Sequence, residues 1–393
     1  MTNRILHVSA DFSDPIERFK TPVIKSFLGL TACDFDHSVV SINRVSPSLS
    51  NLTSLLLRPQ SNAHLVQNQQ LFSEGIALEY AAPGKGLFHR SMLERLGGHI
   101  AQIATSQDKP FDLLVGHKLT IEGIAVARAA EIAGIPYALT IQGNSDRKIL
   151  KARPDLRDIF RSIYQNASMV CTFTPVARNA IERMLGKRKD GIALIPCPTE
   201  LDAVVEPKVT GGDLISVFHL KNHKVKNLEG LTSAASRLRG KAGDRTISIL
   251  GGGSPAQLTL CKDITAEAKQ FLFAGPVDRN EMPIRMNEAC ALVVPSRAES
   301  FGLVFIEALF AGLPIIYPKG TAIDGYFDDL SFALAVDARS PQSISEAMER
   351  AILEESEIKQ RLAEWQQSGA SERFTRTAIA RNYKAALQSA LVG

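Results

Sequence analysis

The sequence predicts an α/β protein built as two Rossmann-like, doubly wound domains facing a cleft, and three observations carry that expectation. Short apolar runs rich in β-branched residues alternate with longer helical patterns along the chain, the rhythm of a parallel sheet with crossover helices. The rhythm runs twice, on either side of a proline- and glycine-containing break. The length, 393 residues of which 45% are hydrophobic, suits about two to three domains with sizeable cores.

The first six strands are expected at RILHVSA, SVVSI, DLLVG, PYALTI, SMVCTF and GIALIP. The second six are expected at DLISVF, TISILG, KQFLFAG, CALVVPS, LPIIYP and FALAVD, with helices over segments such as NLEGLTSAASRL and PQSISEAMERAILEE. Between the two sets, PCPTELDAVVEPKVTGGD has no clear period and reads as a linker. The boundary is placed near residue 205, giving a first domain over 1–205, a second over 206–370 and a terminal segment over 371–393. In that segment Phe374, Ile379, Tyr383 and Leu387 approach helical spacing, and a C-terminal helix packing back on the first domain is expected. Residues 43–75, rich in Ser, Asn and Gln, are longer than an ordinary connection and read as a mobile loop near the cleft mouth.

Charge and cysteine usage narrow the classes. A formal net charge of +4 calls for no nucleic-acid partner. No apolar run reaches membrane-spanning length, and the one at the N-terminus is too short for a secretory signal. Five cysteines without C-x-x-C indicate neither a disulfide framework nor a zinc site, so a reducing cytoplasm fits. The basic stretch RKILKARPDLRDIFR reads first as a solvated helix face, with peripheral contact to anionic lipid at the inner membrane as the alternative. Asp34-Phe35-Asp36 has a metal-binding spacing but falls where a turn is expected, and no metal is assigned to it.

The stretch VVPSRAESFGLVFIEALFAGLPIIYP carries most of the chemistry: a buried strand, a loop, a helix from about Leu303 to Ala311, a stop at Gly312 and another strand. Ser300, Phe301, Gly302 and Leu303 would present backbone N–H groups at the helix N-terminus, where partial positive charge favours phosphate. Glu299 and Glu307 frame that site. A carboxylate beside a phosphate is unfavourable unless it accepts hydrogen bonds from hydroxyls, so sugar plus diphosphate is the ligand chemistry. Taken singly, each glutamate reads as a cap or a solvated helix residue.

As a unit, Pro-Ser-x-x-Glu-x-Phe-Gly-x-x-x-x-Glu-Ala-x-x-x-Gly-x-Pro resembles the C-terminal signature of retaining glycosyltransferases of the GT-B fold, particularly family 4, also called group 1. The resemblance is strong from about Ile215 to Tyr326 and elsewhere rests on element order. It implies that Glu299 sits by the transferred sugar, that Glu307 bonds the nucleotide ribose, and that Phe301, Gly302 and Leu303 hold sugar hydroxyls and phosphate. VFHLKNHKVKNLEG resembles the family's diphosphate loop, with His219 in place of its Arg and either Lys224 or Lys226 as its Lys. FAGPVDRNEMP resembles the loop facing the base, making Val277 a base contact, and His117 matches a strand-end histidine that touches sugar or acceptor. The first loop, SADFSDPIERFKTPVIK, lacks the family's paired glycines. Asp14, Lys20 and Thr21 there line the acceptor side, or Asp14-Pro15 caps a helix. GGGSP lacks nucleotide-loop spacing and reads as a tight turn.

These features together give the expected activity: transfer of a sugar, with retention, from a UDP- or GDP-sugar donor to a glycan or glycolipid acceptor. No cofactor, no metal and no nucleic acid take part, and the resemblance sets the reaction in bacterial surface polysaccharide biosynthesis. Glu299, Lys224 and His117 are the expected catalytic set; Glu307, Ser300, Phe301, Gly302, Leu303, Lys226, His219 and Val277 are expected to bind donor. The competing reading is a catalytically weak GT-B scaffold that binds nucleotide or glycan, suggested by His219 and the missing glycines.

Overall fold

The computed structural model describes residues 2–47, 65–83, 89–106, 109–209 and 211–392. The chain divides into two compact units: one comprises Met1–Phe173, Ala177–Pro198 and Thr377–Gly393, the other Thr174–Val176 and Thr199–Arg376. The change of unit thus falls at Pro198/Thr199, ahead of the expected boundary near 205, and the last helix joins the first unit from Thr377 rather than from 371.

The first unit holds β1 (Arg4–Ser9), β2 (Asp36–Val45), β3 (Val66–Phe72), β4 (Gly75–Ala81), β5 (Leu113–Gly116), β6 (Tyr137–Ile141), β7 (Met169–Thr172) and β8 (Ile192–Leu194). They form one sheet in the order β3-β4-β2-β1-β5-β6-β7-β8. All neighbours pair in parallel except β3 with β4. Strands buried on both faces favour apolar sequence, which is why LLVG is a strand, while RILHVS buries His7 and Ser9 among its apolar residues. The expected mobile loop is corrected in part: β2 extends to Val45 and residues 66–72 form the antiparallel edge strand, while residues 48–64 lie outside the described residues.

The second unit holds β9 (Leu214–Val217), β10 (Ile247–Leu250), β11 (Phe271–Gly275), β12 (Ala291–Val293), β13 (Ile315–Pro318) and β14 (Ala333–Val336). Their order is β11-β10-β9-β12-β13-β14 with every pairing parallel. This doubly wound order has its switch point between β9 and β12, where the chain leaves adjacent strands in opposite directions and opens a crevice at their carboxyl ends. The tri-glycine turn at 251–253 ends at Ser254, whose hydroxyl makes a capping box with Gln257 for the helix Pro255–Thr265. It is a turn and a cap.

Each unit has its own apolar core, around Leu6, Leu96 and Ile163 in the first and around Leu214, Leu231 and Val293 in the second. The terminal helix Arg376–Val392 is tied into the first unit by Tyr383, whose ring lies 4.8 Å from that of Phe27, and by Lys384, 2.5 Å from Asp34. Among the described residues, no helix is long and apolar enough to cross a membrane.

Tyr383 is fully buried and its hydroxyl has no hydrogen-bond partner among the described residues. Truncating a buried aromatic ring removes transfer energy and leaves a cavity. Tyr383→Ala is therefore expected to cost roughly 3–5 kcal/mol in chemical denaturation, whereas Tyr383→Phe should be close to neutral.

Candidate functional site

At the switch point the loop after β9 begins with buried Phe218 and Leu220 anchoring exposed His219, whose Nδ1 accepts from the Lys221 amide at 3.2 Å. The loop ends at Asn227, which takes the left-handed conformation (φ 62°, ψ 44°) just before the helix Leu228–Ala235. Asn227 Nδ2 donates to the carbonyls of Pro295 (3.1 Å) and Ala338 (2.7 Å), its Oδ1 accepts from Arg297 Nε (3.0 Å), and the Arg297 amide donates to Val225 O (2.8 Å). The loops after β9 and β12 are stitched together by these bonds. Lys226, next in the chain, consequently places Nζ 2.5 Å from Glu299 Oε2, with both side chains largely buried. Lys224 is exposed. Of the two lysines left open by spacing, Lys226 is the one paired with Glu299.

Glu299 is braced from the far side. Its amide donates to Thr321 Oγ1 (3.3 Å), the Thr321 hydroxyl donates to Glu299 O (2.6 Å), and Ser296 Oγ approaches Oε2 at 3.4 Å. Ser300 is exposed and Phe301 is buried edge-on to Tyr326, so Phe301 anchors the turn with its ring. Gly302 (φ 85°, ψ 60°) caps the helix Leu303–Phe310, and no side chain caps that end. A Cβ at Gly302 would lie 2.6 Å from the Phe305 ring. The first amides of such a helix have no intrahelical partner and carry partial positive charge. The helix starts four residues after Glu299, the partner of Lys226.

Glu307, half-buried on the second turn of that helix, accepts from Thr199 Oγ1 at 2.6 Å through Oε1, with Arg279 Nη2 3.9 Å from the same oxygen. Arg279 also pairs with Glu200 (3.2 Å) and stands two residues after half-buried Val277. Neither Thr199 nor Arg279 was among the expected site residues. Thr199 falls in the segment read as a linker, and Arg279 offers only its place in the loop that carries Val277.

The first unit corrects the expectation for His117. Its ring is buried (1% exposed), with Nε2 3.0 Å from His7 Nδ1 and Nδ1 3.3 Å from Thr140 Oγ1. His7 Nε2 lies 2.9 Å from His37 Nδ1, and His37 Nε2 lies 2.9 Å from Thr31 Oγ1, whose proton goes to Phe27 O. One direction of donation satisfies the row: Thr140 to His117, His117 to His7, His7 to His37, His37 to Thr31, every ring neutral with its proton on Nε2. Burial, reinforced by the neighbouring His37 and by Lys118, lowers His117 to about 3. Its ring offers no nitrogen to a sugar.

Asp14 is buried and caps no helix. Its carboxylate accepts from Lys20, Ser41, Asn43 and the amides of Ile16 and Glu17, pinning the first loop. Burial raises its pKa, but the bonds from Ser41, Asn43, Glu17 and Lys20 outweigh it and bring the group down to about 2. The two carboxylates of the D-x-D are taken by Lys384 and Arg4. Among the described residues no group of three or more His, Cys, Asp and Glu is arranged to hold a metal. The basic stretch is two helices, Asn144–Ala152 and Arg157–Asn166, in which Arg153 pairs with Asp155 and Arg161 with Asp158.

Residues 203–368, the bulk of the second unit, match the family described as glycosyl transferases group 1. The second unit is a group 1 glycosyl transferase domain. Over 113 residues the chain is 37% identical to the D-inositol 3-phosphate glycosyltransferase of Jonesia denitrificans, covering 27% of this chain and 26% of that one. It is 21% identical over 267 residues to the putative teichuronic acid biosynthesis glycosyltransferase TuaC of Bacillus subtilis, covering 65% of each. The chain thus spans about a quarter of the first relative and just under two thirds of the second. Among solved structures, Anabaena HepE in complex with UDP and glucose superposes with a TM-score of 0.61 over 98% of this chain and all of that one, at 14% identity. The shared fold is GT-B.

Two outcomes test the group 1 domain and its companion unit. Gly302→Ala forces a left-handed residue and a ring clash at the helix start, so it should unfold the helix end and weaken nucleotide binding, read by calorimetry, by about tenfold or more. In the first unit, His117 has a folded pKa below its unfolded value of about 6.5, so its contribution to stability is present above that pH and is lost as pH falls towards 3. Relative to His117→Gln, the wild type should lose about 1.4 kcal/mol per pH unit below pH 6.5 in urea titrations.

Proposed function

We propose that this chain is a retaining glycosyltransferase that takes a sugar from a nucleoside diphosphate and gives it to a hydroxyl of a glycan or lipid-linked glycan. The observation that carries the reading is the Lys226–Glu299 pair beside the uncapped helix start at Gly302. The two charges neutralise one another at 2.5 Å. A nucleotide-sugar replaces each half with a better match: its diphosphate takes the Lys226 ammonium and the helix amides, and its sugar hydroxyls take the Glu299 carboxylate.

The reaction follows from that exchange. The bond between the anomeric carbon and the bridging phosphate oxygen breaks, and the electron pair stays on the diphosphate. Lys226 and the amides at Phe301 to Leu303 stabilise the charge that develops there, a contribution for which one donor is worth about 100-fold or more in rate. The acceptor oxygen bonds to the same face of the anomeric carbon, and its proton passes to the departing phosphate. Retention needs no second carboxylate opposite Glu299 in this scheme. Glu307 holds the ribose, Val277 faces the base, and Lys226 supplies the countercharge a metal would otherwise give.

The relatives named for teichuronic acid and inositol phosphate chemistry support a polar polyhydroxyl acceptor and a role in bacterial surface polysaccharide assembly. The reading carries with it a cytoplasmic protein in peripheral contact with the inner membrane. His219, standing where the family has Arg, supports the competing reading of a weak scaffold, because an imidazole lacks the planar fork of donors with which a guanidinium holds diphosphate.

Calorimetry with UDP and GDP, with and without magnesium, tests the proposal. One nucleotide should bind without magnesium, and Lys226→Ala should weaken it by about tenfold or more and lower turnover of the matching nucleotide-sugar by about 100-fold or more. Binding of neither nucleotide to the wild type would favour the scaffold, and equal binding by wild type and Lys226→Ala would remove Lys226 from the donor site.

A further inference from the structure

The carboxylate of Glu307 is held at one oxygen by a residue that no sequence pattern marked. Thr199 is buried (4% exposed), and its Oγ1 accepts from the Leu201 amide at 3.1 Å while donating its single proton to Glu307 Oε1 at 2.6 Å. A hydroxyl has one proton to give and two lone pairs; the Leu201 N–H takes one lone pair, and the proton goes to Glu307. Threonine is also stiff at χ1, so the donor is fixed before any ligand arrives. Arg279 Nη2 approaches the same oxygen at 3.9 Å, and its Nε is engaged by Glu200. Both neighbours therefore act on Oε1.

We propose that Thr199 is a positioning residue for nucleotide recognition: by holding Oε1 it fixes the Glu307 rotamer so that the carboxylate meets both vicinal hydroxyls of a ribose. The inference rests on the reading of Glu307 as the ribose contact. A free glutamate on a helix surface has three rotatable bonds and is among the side chains that lose most freedom when ordered. A carboxylate offers about four lone-pair positions. Thr199 uses one of them and leaves enough for two hydroxyl donors, so its bond orients the group without consuming it. The Glu307 side chain is 15% exposed, open enough for a ligand to reach and confined enough for its orientation to matter.

The readout that separates positioning from general structural support is the preference for ribose over a sugar lacking its hydroxyls. Dissociation constants are measured for UDP and GDP and for their 2′,3′-dideoxy forms, on the wild type, Thr199→Val, Thr199→Ser and Glu307→Ala. The wild type should favour the hydroxylated form of its nucleotide by tenfold or more. Thr199→Val should lose most of that preference while binding the dideoxy form as the wild type does, Thr199→Ser should keep it, and Glu307→Ala should abolish it. If valine prevents folding, Thr199→Ala serves as the second hydroxyl-free variant. Equal weakening of both forms in the hydroxyl-free variants, an undiminished preference in them, or its loss in Thr199→Ser would overturn the inference. Failure of the wild type to bind any of the four nucleotides would instead overturn the underlying functional reading. Binding without a ribose preference would overturn the assignment of Glu307 and, with it, that of Thr199.

Discussion

The Lys226–Glu299 pair joins the two loops that leave the central strands of the second unit, and the candidate site is arranged around it. Opposite charges at 2.5 Å in a partly buried crevice compensate one another's desolvation only when their geometry is held. The holding is done elsewhere: Asn227 bridges the lysine loop to Pro295 and Ala338, and Thr321 returns two bonds to the Glu299 backbone. A parallel sheet alone would bring the loop ends near each other because β9 and β12 are neighbours. The side-chain stitching converts that proximity into a defined pair, and the uncapped helix beside it supplies the remaining positive potential.

The second unit's sheet was legible because a parallel sheet covered on both faces demands apolar runs, and LISV, ISIL and IIYP are such runs. β3 was not, because an edge strand with solvent on its side is free to be polar, and VQNQQLF reads as loop. The glutamate pair was legible as part of a long spaced pattern. The choice between Lys224 and Lys226 was not, since it turns on the left-handed conformation of Asn227, whose bonds reach residues 68 and 111 positions away. Thr199 escaped notice for a related reason: its partner Glu307 is 108 positions distant.

His117 shows how a short-range reading fails. At the end of an apolar strand it reads as a residue presented to a ligand, but its neighbours are set by sheet register. His7 lies on β1 beside β5, and His37 lies on β2, the strand on the other side of β1. The row of three exists only once those strands are aligned. Burial then favours the neutral rings, and the directed hydrogen bonds give every nitrogen a partner. Polar residues in a sheet core of this kind contribute to the specificity of strand pairing.

Tyr383 packs on Phe27 from the end of the chain, so the first unit is assembled from its beginning and its last seventeen residues. Chains ordinarily fold domain by domain as they emerge, the N-terminal one first. Here that order reverses. The second unit, apart from Thr174–Val176, is a continuous stretch from Thr199 to Arg376 and can close while translation proceeds, whereas the first must wait, with the Phe27 surface uncovered, until Tyr383 has been made. A chain stopped before Tyr383 would carry a finished second unit beside a first one whose Phe27 face lies open.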